Sequence, residues 1–338
     1  MRSSHTPLFV DPVDQSPLAL GDCEAVDEVL TGELVSGSGR RYPIVDGVPR
    51  FVNCDEYVGS FSFEWRTHAR TQFDSVVTTE SFDRFHQMTG FDEPLCRGAR
   101  VLDAGVGAGR YADIALKLGA REVVGIDLSR AVESAWANLH ANARFEVVQA
   151  SIFSPPFRDE TFDLIYSIGV LHHTPAPRIA FERLVRLLKP GGRIAIYVYV
   201  HRPTHLVSDA IRVATTRIAP ERLHRFISKI HPTLDRITRT RAGRAALRWL
   251  PRSDHSNPEW RVLDTFDWYS PKYQFRYRGF EEICAWFHGA GLVDVCPMPF
   301  DICVQGRKPV GPDHDRSSSR GPTNGSGVDE RRLIAHRQ

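Results

Sequence analysis

Between Arg100 and Ala112 the chain reads Arg-Val-Leu-Asp-Ala-Gly-Val-Gly-Ala-Gly-Arg-Tyr-Ala. Glycines at 105, 107 and 109 separate an apolar run from a helical pattern carried by Tyr111, Ile114, Ala115 and Leu118. That order predicts a buried strand reaching Asp103, a tight turn and a helix start. Glycine lets such a turn adopt positive φ and approach a ligand closely. The helix N-terminus adds partial positive charge for anionic or polar ligand groups. Asp127 closes the next apolar run, Glu122 to Ile126. An acid there can accept two hydrogen bonds from ribose hydroxyls; the alternative is that it caps the helix that follows. His172 and His173 follow the fourth strand-like run, on the rim where ligands bind in open α/β sheets. Histidine titrates near neutral pH and is the usual general base for a hydroxyl or amine nucleophile. Adjacent positions diverge, so at most one of the pair faces a ligand, with His173 preferred. The alternative is that both tie the loop to backbone groups.

A dinucleotide fingerprint, G-x-G-x-x-G, needs its third glycine at 110, where this chain has Arg110. The D-x-G-x-G-x-G present instead resembles motif I of the class I S-adenosylmethionine (SAM)-dependent methyltransferases, whose turn cradles the amino-acid end and ribose of SAM. Downstream come Pro156-Phe157 with Phe162-Asp163, then Leu171-His172-His173-Thr174-Pro175, then Leu188-Lys189-Pro190-Gly191-Gly192. These motifs stand in the order and spacing of the type 11 methyltransferases. The resemblance implies SAM as cofactor, bound by Asp103, Gly105, Gly107, Gly109, Asp127, Leu128, Ser151, Ile152 and Ser167. The family usually has an acid after the third strand to bind the adenine amino group. Ser151 stands there, and an uncharged hydroxyl holds that group less firmly.

Methyl transfer asks a protein mainly to hold a nucleophile in line with the methyl group and to exclude water. Two aromatic stretches are candidates for that task. In residues 55–99, Phe61, Phe63 or Trp65 closes over SAM or lines the acceptor site; otherwise the segment is a cap packed on the sheet edge. In Asp264 to Gln274, polar and aromatic residues alternate. There Asp267, Tyr269 or Tyr273 contacts the acceptor, or Trp268 and Tyr269 pack beneath inserted helices.

The alternation of strand and helix patterns predicts an α/β fold, a Rossmann-like, seven-stranded, mostly parallel sheet with helices on both faces. Around it the expected organisation is a ribbon-like module at 1–54, a helical cap at 55–99, a methyltransferase domain at 100–308 and a disordered tail at 309–338. A helical lid is inserted at about 201–262. Leu223, Phe226, Ile227, Ile230, Leu234 and Ile237 recur there at helical spacing among arginines. The pattern predicts two or more amphipathic helices, broken near Pro232. Their basic face reads as a solvated surface, a lid over an acidic substrate or a membrane-surface contact.

Arg41 to Arg50, read Arg-Tyr-Pro-Ile-Val-Asp-Gly-Val-Pro-Arg, resembles the last hairpin of the zinc-ribbon-like Trm112-type module. The two cysteine pairs that hold zinc in that family are matched here by Asp11-Pro12-Val13-Asp14 and Ser36-Gly37-Ser38-Gly39. Serine and glycine cannot replace thiolates in a tetrahedral site, so a degenerate, metal-free module is expected.

With 338 residues, 42% hydrophobic and 25% charged, the composition is that of a soluble globular protein. A net charge of +2 makes no case for nucleic acid. The first residues lack the apolar core of a signal peptide, and no run of 18 apolar residues spans a membrane. Six cysteines without a C-x-x-C pair suggest free thiols in the cytoplasm. The function expected is methyl transfer from SAM to oxygen or nitrogen of a small molecule or biosynthetic intermediate. Two alternatives remain open: an RNA methyltransferase, suggested by the ribbon-like module and basic insertion, and a non-catalytic SAM-fold partner protein.

Overall fold

The computed structural model describes residues 1–21, 27–53, 57–202, 205–250 and 252–311. Cys23, Cys54 and most of the expected tail, 312–338, lie outside the described residues. In the N-terminal region, short apolar runs bounded by turn residues form β1 (Leu18–Leu20), β2 (Gly32–Ser36), β3 (Arg41–Val45) and β4 (Val48–Pro49). Three helices follow, α1 (Gly59–Thr67), α2 (Glu80–Thr89) and α3 (Glu93–Cys96). From Arg100 strand and helix alternate as β5 (Arg100–Ala104), α4 (Arg110–Lys117), β6 (Glu122–Asp127), α5 (Ala131–Leu139), β7 (Phe145–Gln149), β8 (Phe162–Ile168), α6 (Pro177–Leu187) and β9 (Leu188–Val198). Next come α7 (His205–Thr215), α8 (Pro220–Thr238), α9 (Arg241–Ala246) and α10 (Pro258–Tyr269), then α11 (Phe280–Gly289), β10 (Val293–Pro297) and β11 (Ile302–Arg307).

The seven-stranded sheet has the order β10-β11-β9-β8-β5-β6-β7. Strands β5 to β9 are parallel, and β11 runs antiparallel to both β9 and β10. In β5, β6 and β7 nearly every residue is buried, as parallel strands covered on both faces require. The chain leaves β5 toward β6 on one side and returns through β8 on the other. That reversal opens a crevice beyond the carboxyl ends of β5 and β8, where ligands bind in such sheets.

The N-terminal strands form an antiparallel sheet in the order β1-β2-β3-β4. It closes the β7 edge, where Phe51 N–H donates to the Gln149 carbonyl at 2.8 Å. Phe9, Leu34 and Ile44 share one apolar cluster with Ile126 and Val148 of the large sheet. Covering an edge in this way blocks pairing with foreign strands. The positions matched to zinc ligands converge on Arg40. Its Nε donates to Asp11 Oδ2 at 2.7 Å and its Nη2 to Asp14. Tyr42 OH donates to Asp11 at 3.0 Å, and Ser36 and Ser38 share a hydrogen bond of 2.8 Å. A guanidinium thus answers the two carboxylates. Among the described residues no group of three or more His, Cys, Asp or Glu could hold a metal ion.

Two features depart from the pattern-based expectation. Helix α8 runs unbroken through Pro232: the proline is exposed, while Leu223, Ile227, His231 and Leu234 are buried. Their packing outweighs the lost hydrogen bond that would otherwise break the helix. The helical insertion also continues past 262, because α10 begins at Pro258 and ends at Tyr269. Asn257 caps it, accepting from Glu259 N–H at 2.8 Å and Trp260 N–H at 3.3 Å. Among the described residues no helix is long and apolar enough to cross a membrane.

Candidate active site

A cavity of about 580 Å³ lies beyond the carboxyl ends of β5, β6, β8 and β9, walled further by α1, α2 and α10. Its floor is the turn between β5 and α4. Gly105 and Gly107 hold φ of +95° and +53°, values that favour glycine. A Cβ on Gly105 would stand 2.1 Å from Val170 Cγ2, and one on Gly107 3.2 Å from Trp65 Cε2. Asp127 braces this turn: its Oδ2 accepts from Gly107 N–H at 3.0 Å. Its Oδ1 accepts from Ser129 N–H at 2.9 Å and Ser129 Oγ at 2.7 Å. Helix α5 takes Arg130 as its N-cap, so Asp127 serves the turn and not the helix. Leu128, Ser151 and Ile152 complete this side of the cavity.

Trp65, His173 and Asp267 reach the cavity from other directions. His173 Nδ1 lies 2.9 Å from the Tyr273 carbonyl oxygen, which can only accept, so Nδ1 carries the hydrogen and Nε2 a lone pair. Nε2 has no hydrogen-bond partner among the described residues and stands 4.0 Å from Asp267 Oδ1. Phe61 meets the same imidazole edge-on, its ring centre 5.1 Å away. Burial lowers the His173 pKa to about 3, which keeps the ring neutral.

Several residues expected at the site stand behind it. Asp103 is buried and accepts a 3.0 Å hydrogen bond from Tyr166 OH, tying β5 to β8. Ser167 Oγ donates to the Ala104 carbonyl at 2.8 Å and fixes the same pair of strands. Gly109 is the N-cap of α4 and faces Leu139 of α5. His172 is fully buried against Tyr199, ring centres 4.0 Å apart. Tyr269 misses the cavity through helical geometry: α10 turns Leu263, Asp264, Asp267 and Trp268 inward. The next position points elsewhere, and Tyr269 packs beside α7, its carbonyl accepting from Thr215 Oγ1 at 2.8 Å. Tyr273 offers its carbonyl to His173, while its ring meets Tyr57 edge-on.

Four cavity residues escaped the sequence reading. Glu64 of α1 is 1% exposed, and its Oε2 has no hydrogen-bond partner among the described residues. Burial, reinforced by Asp267 and Asp264, pushes its pKa well above the usual carboxylate range. Burial likewise pushes Asp264 up to about 6. Tyr199 OH donates to Asp267 Oδ2. Arg110, the first residue of α4, has a buried Nη1 without a hydrogen-bond partner among the described residues. Its position carried a signal, since a cation at a helix N-terminus opposes the helix dipole and needs another reason to be there.

Residues 102–196 match the family model of the type 11 methyltransferase domain. A demethylmenaquinone methyltransferase of Clavibacter sepedonicus is 33% identical over 124 residues, 36% of this chain and 50% of that protein. The 27-O-demethylrifamycin SV methyltransferase of Amycolatopsis mediterranei is 33% identical over 145 residues, 40% of this chain and 51% of that protein. The tRNA (carboxymethyluridine(34)-5-O)-methyltransferase of Arabidopsis thaliana is 32% identical over 133 residues, 38% of this chain and 31% of that protein. The match thus spans about half the length of the two bacterial relatives and under a third of the plant one. Strand order, glycine turn and matched segment agree: the chain carries a class I SAM-dependent methyltransferase domain of the type 11 family.

Proposed function

We propose that the chain methylates an oxygen or nitrogen of a small molecule, using SAM. The observation that carries this reading is that one cavity is lined both by the Gly105–Gly107 turn with Asp127 and by the His173–Asp267 pair. A cavity of about 580 Å³ falls among small-molecule clefts, which measure roughly 300–1,000 Å³. It suits SAM with a compact acceptor better than a base held within folded RNA.

The lining fits SAM on its own chemistry. Gly105 and Gly107 let the turn pack directly under Val170 and Trp65, where a Cβ would collide or crowd, while both glycines line the cavity. Asp127 would hold the ribose hydroxyls, and Leu128 and Ile152, with Ser151 beside them in the cavity lining, would wall the adenine. Glu64 Oε2 and Arg110 Nη1, both without a hydrogen-bond partner among the described residues, would take the ammonium and the carboxylate of the amino-acid end, the ammonium favouring ionisation of Glu64. When bound, SAM supplies an electrophilic methyl group on a sulfonium.

The chain's own part is then to position the nucleophile and receive its proton. His173, locked by the Tyr273 carbonyl, lines the cavity and keeps its Nε2 lone pair without a hydrogen-bond partner among the described residues, beside Asp267. Burial makes that imidazole a weak base alone, but ionised Asp267, 4.0 Å away, stabilises the imidazolium that forms. Trp65 and Phe61 exclude water from one side.

Isothermal titration with SAM and S-adenosylhomocysteine tests the donor side; absence of binding at millimolar ligand would overturn it. Tritiated SAM incubated with the protein and a cell extract tests the acceptor. Label in low-molecular-mass products supports the reading, and label confined to RNA overturns the small-molecule assignment.

A further inference from the structure

The inserted helices present a surface that methyl transfer does not use. On α8, Leu223, Ile227, His231 and Leu234 are buried, and the helix packs against α1 and α10. Its opposite stripe, with Arg222, Phe226, Lys229, Arg236 and Ile237, is exposed. Phe226 is 61% exposed, and Leu206 and Val213 along one side of α7 are 74% and 62% exposed. Trp249, just after α9, is 49% exposed. Residues 205–250 hold ten arginines and lysines against three acids, a net of +7 in a chain whose net charge is +2.

Two of those three acids are already engaged. Asp235 pairs with Arg252 at 3.4 Å and Arg261 at 3.3 Å, and Asp209 with Arg276 at 2.6 Å. Arg222, Arg225, Lys229, Arg236, Arg239 and Arg241 are exposed and pair with no carboxylate among the described residues.

We propose that this face docks the protein on an anionic lipid bilayer. Lipid headgroups supply the negative charge that these arginines lack, and the interface just beneath accepts Phe226, Trp249, Leu206 and Val213. A merely solvated face needs no such apolar side chains. RNA could stack on Phe226 and Trp249, but it offers no apolar partner for Leu206, Val213 and Ile237, which a bilayer interface does. The same segment gives His205, Ser208, Arg248 and Leu250 to the cavity wall. Docking therefore brings the cavity wall close to the headgroups and gives access to an acceptor held in the membrane. That consequence rests on the methyl-transfer reading; docking itself does not.

The test is flotation of the full chain with vesicles of phosphatidylcholine plus phosphatidylglycerol, against vesicles of phosphatidylcholine alone and a homopolymer RNA. Binding to the anionic vesicles only, weakening as salt rises, is the expected result. A triple variant, Arg225→Gln, Lys229→Gln and Arg236→Gln, should lose on the order of a hundredfold in partitioning, at roughly fivefold per charge near the surface. Phe226→Ser with Trp249→Ser should also weaken binding, while circular dichroism shows the helices intact. No anionic-vesicle binding at low salt, equal binding to neutral vesicles, or tighter binding of the RNA would overturn the proposal. Vesicle binding by a chain that fails to bind SAM would leave docking standing and remove only the methyl-transfer reading.

Discussion

His173 Nε2 stands 4.0 Å from Asp267 Oδ1, while Nδ1 of the same ring is fixed 2.9 Å from the Tyr273 carbonyl. One contact sets the tautomer and the other sets the charge that the ring will feel when it takes a proton. Strand β8 supplies the loop that carries the histidine, and α10 supplies the carboxylate. The pair therefore exists only once the inserted helices are docked on the sheet.

His173→Ala and Asp267→Asn should each slow methyl transfer by about a hundredfold to ten-thousandfold, the usual range for losing a general base. SAM affinity by calorimetry should stay nearly unchanged in both. Because the residues act as one unit, the double variant should be little worse than the poorer single variant. The wild-type rate should rise as pH carries Asp267 through an ionisation that burial has raised, and Asp267→Asn should flatten that limb. Additive losses would show that the two residues act independently.

Glu64→Gln separates stability from binding. The carboxylate is buried with Oε2 unanswered among the described residues, so its neutral isostere relieves desolvation and should raise stability by about 1–2 kcal/mol. The same change removes the carboxyl group that would ionise against the SAM ammonium. Affinity should fall roughly tenfold or more, the worth of a charged hydrogen bond. Higher melting temperature with unchanged SAM affinity would show that Glu64 does not hold the donor.

Much of the frame was legible from periodicity. The alternating apolar runs from Val101 to Val198 become the parallel strands and their helices, and the glycines at 105 and 107 become the floor of the cavity. Asp103 and Ser167 belonged to the right motifs, yet face neighbouring strands. A motif records which residues occur together, and only strand register decides which side chain meets a ligand. Tyr269 reads as acceptor wall because polar and aromatic residues alternate over Asp264 to Gln274. Asn257-Pro258 is a helix-start signal, and once α10 begins there its turn sends Asp264 and Asp267 inward and Tyr269 away. Glu64 was hidden because a charge on a short helix ordinarily marks the solvent side. Its burial depends on α8 and α10 covering α1, a long-range fact with no local signature.

Asp103 should make stability depend on pH in a known direction. Burial raises its pKa from 3.8 to about 7, so folding favours the protonated acid. The stabilisation is complete below pH 3.8 and is lost as pH rises through about 7, a change on the order of 4 kcal/mol. Neutral buried His172 and His173, both lowered by burial, push the wild-type curve the other way, so the informative quantity is a difference. Asp103→Asn keeps an acceptor for Tyr166 OH. Its stability gain over wild type, from urea unfolding, should be near zero at pH 4 and largest above pH 7. A difference that does not vary with pH would mean that Asp103 is charged in the folded protein.

The N-terminal strands should unfold with the large sheet and not as a separate unit. Phe9 is 1% exposed and packs on Phe51 and Phe157, with ring centres 6.1 and 6.0 Å away. Phe51 belongs to the N-terminal region and Phe157 to the segment between β7 and β8, so one side chain bridges the two sheets. Hydrogen bonds do the same: Val10 N–H donates to the Pro156 carbonyl at 3.0 Å, and the Arg50 side chain donates through Nη1 to Gln149 Oε1 at 2.8 Å. Phe9→Ala opens a cavity in that shared cluster and should cost about 3–5 kcal/mol. If the core is one cooperative unit, tryptophan fluorescence and far-ultraviolet circular dichroism will report a single transition, shifted equally in both. Two transitions, with the larger one unmoved by the substitution, would mean that residues 1–53 form an independent domain resting against the β7 edge.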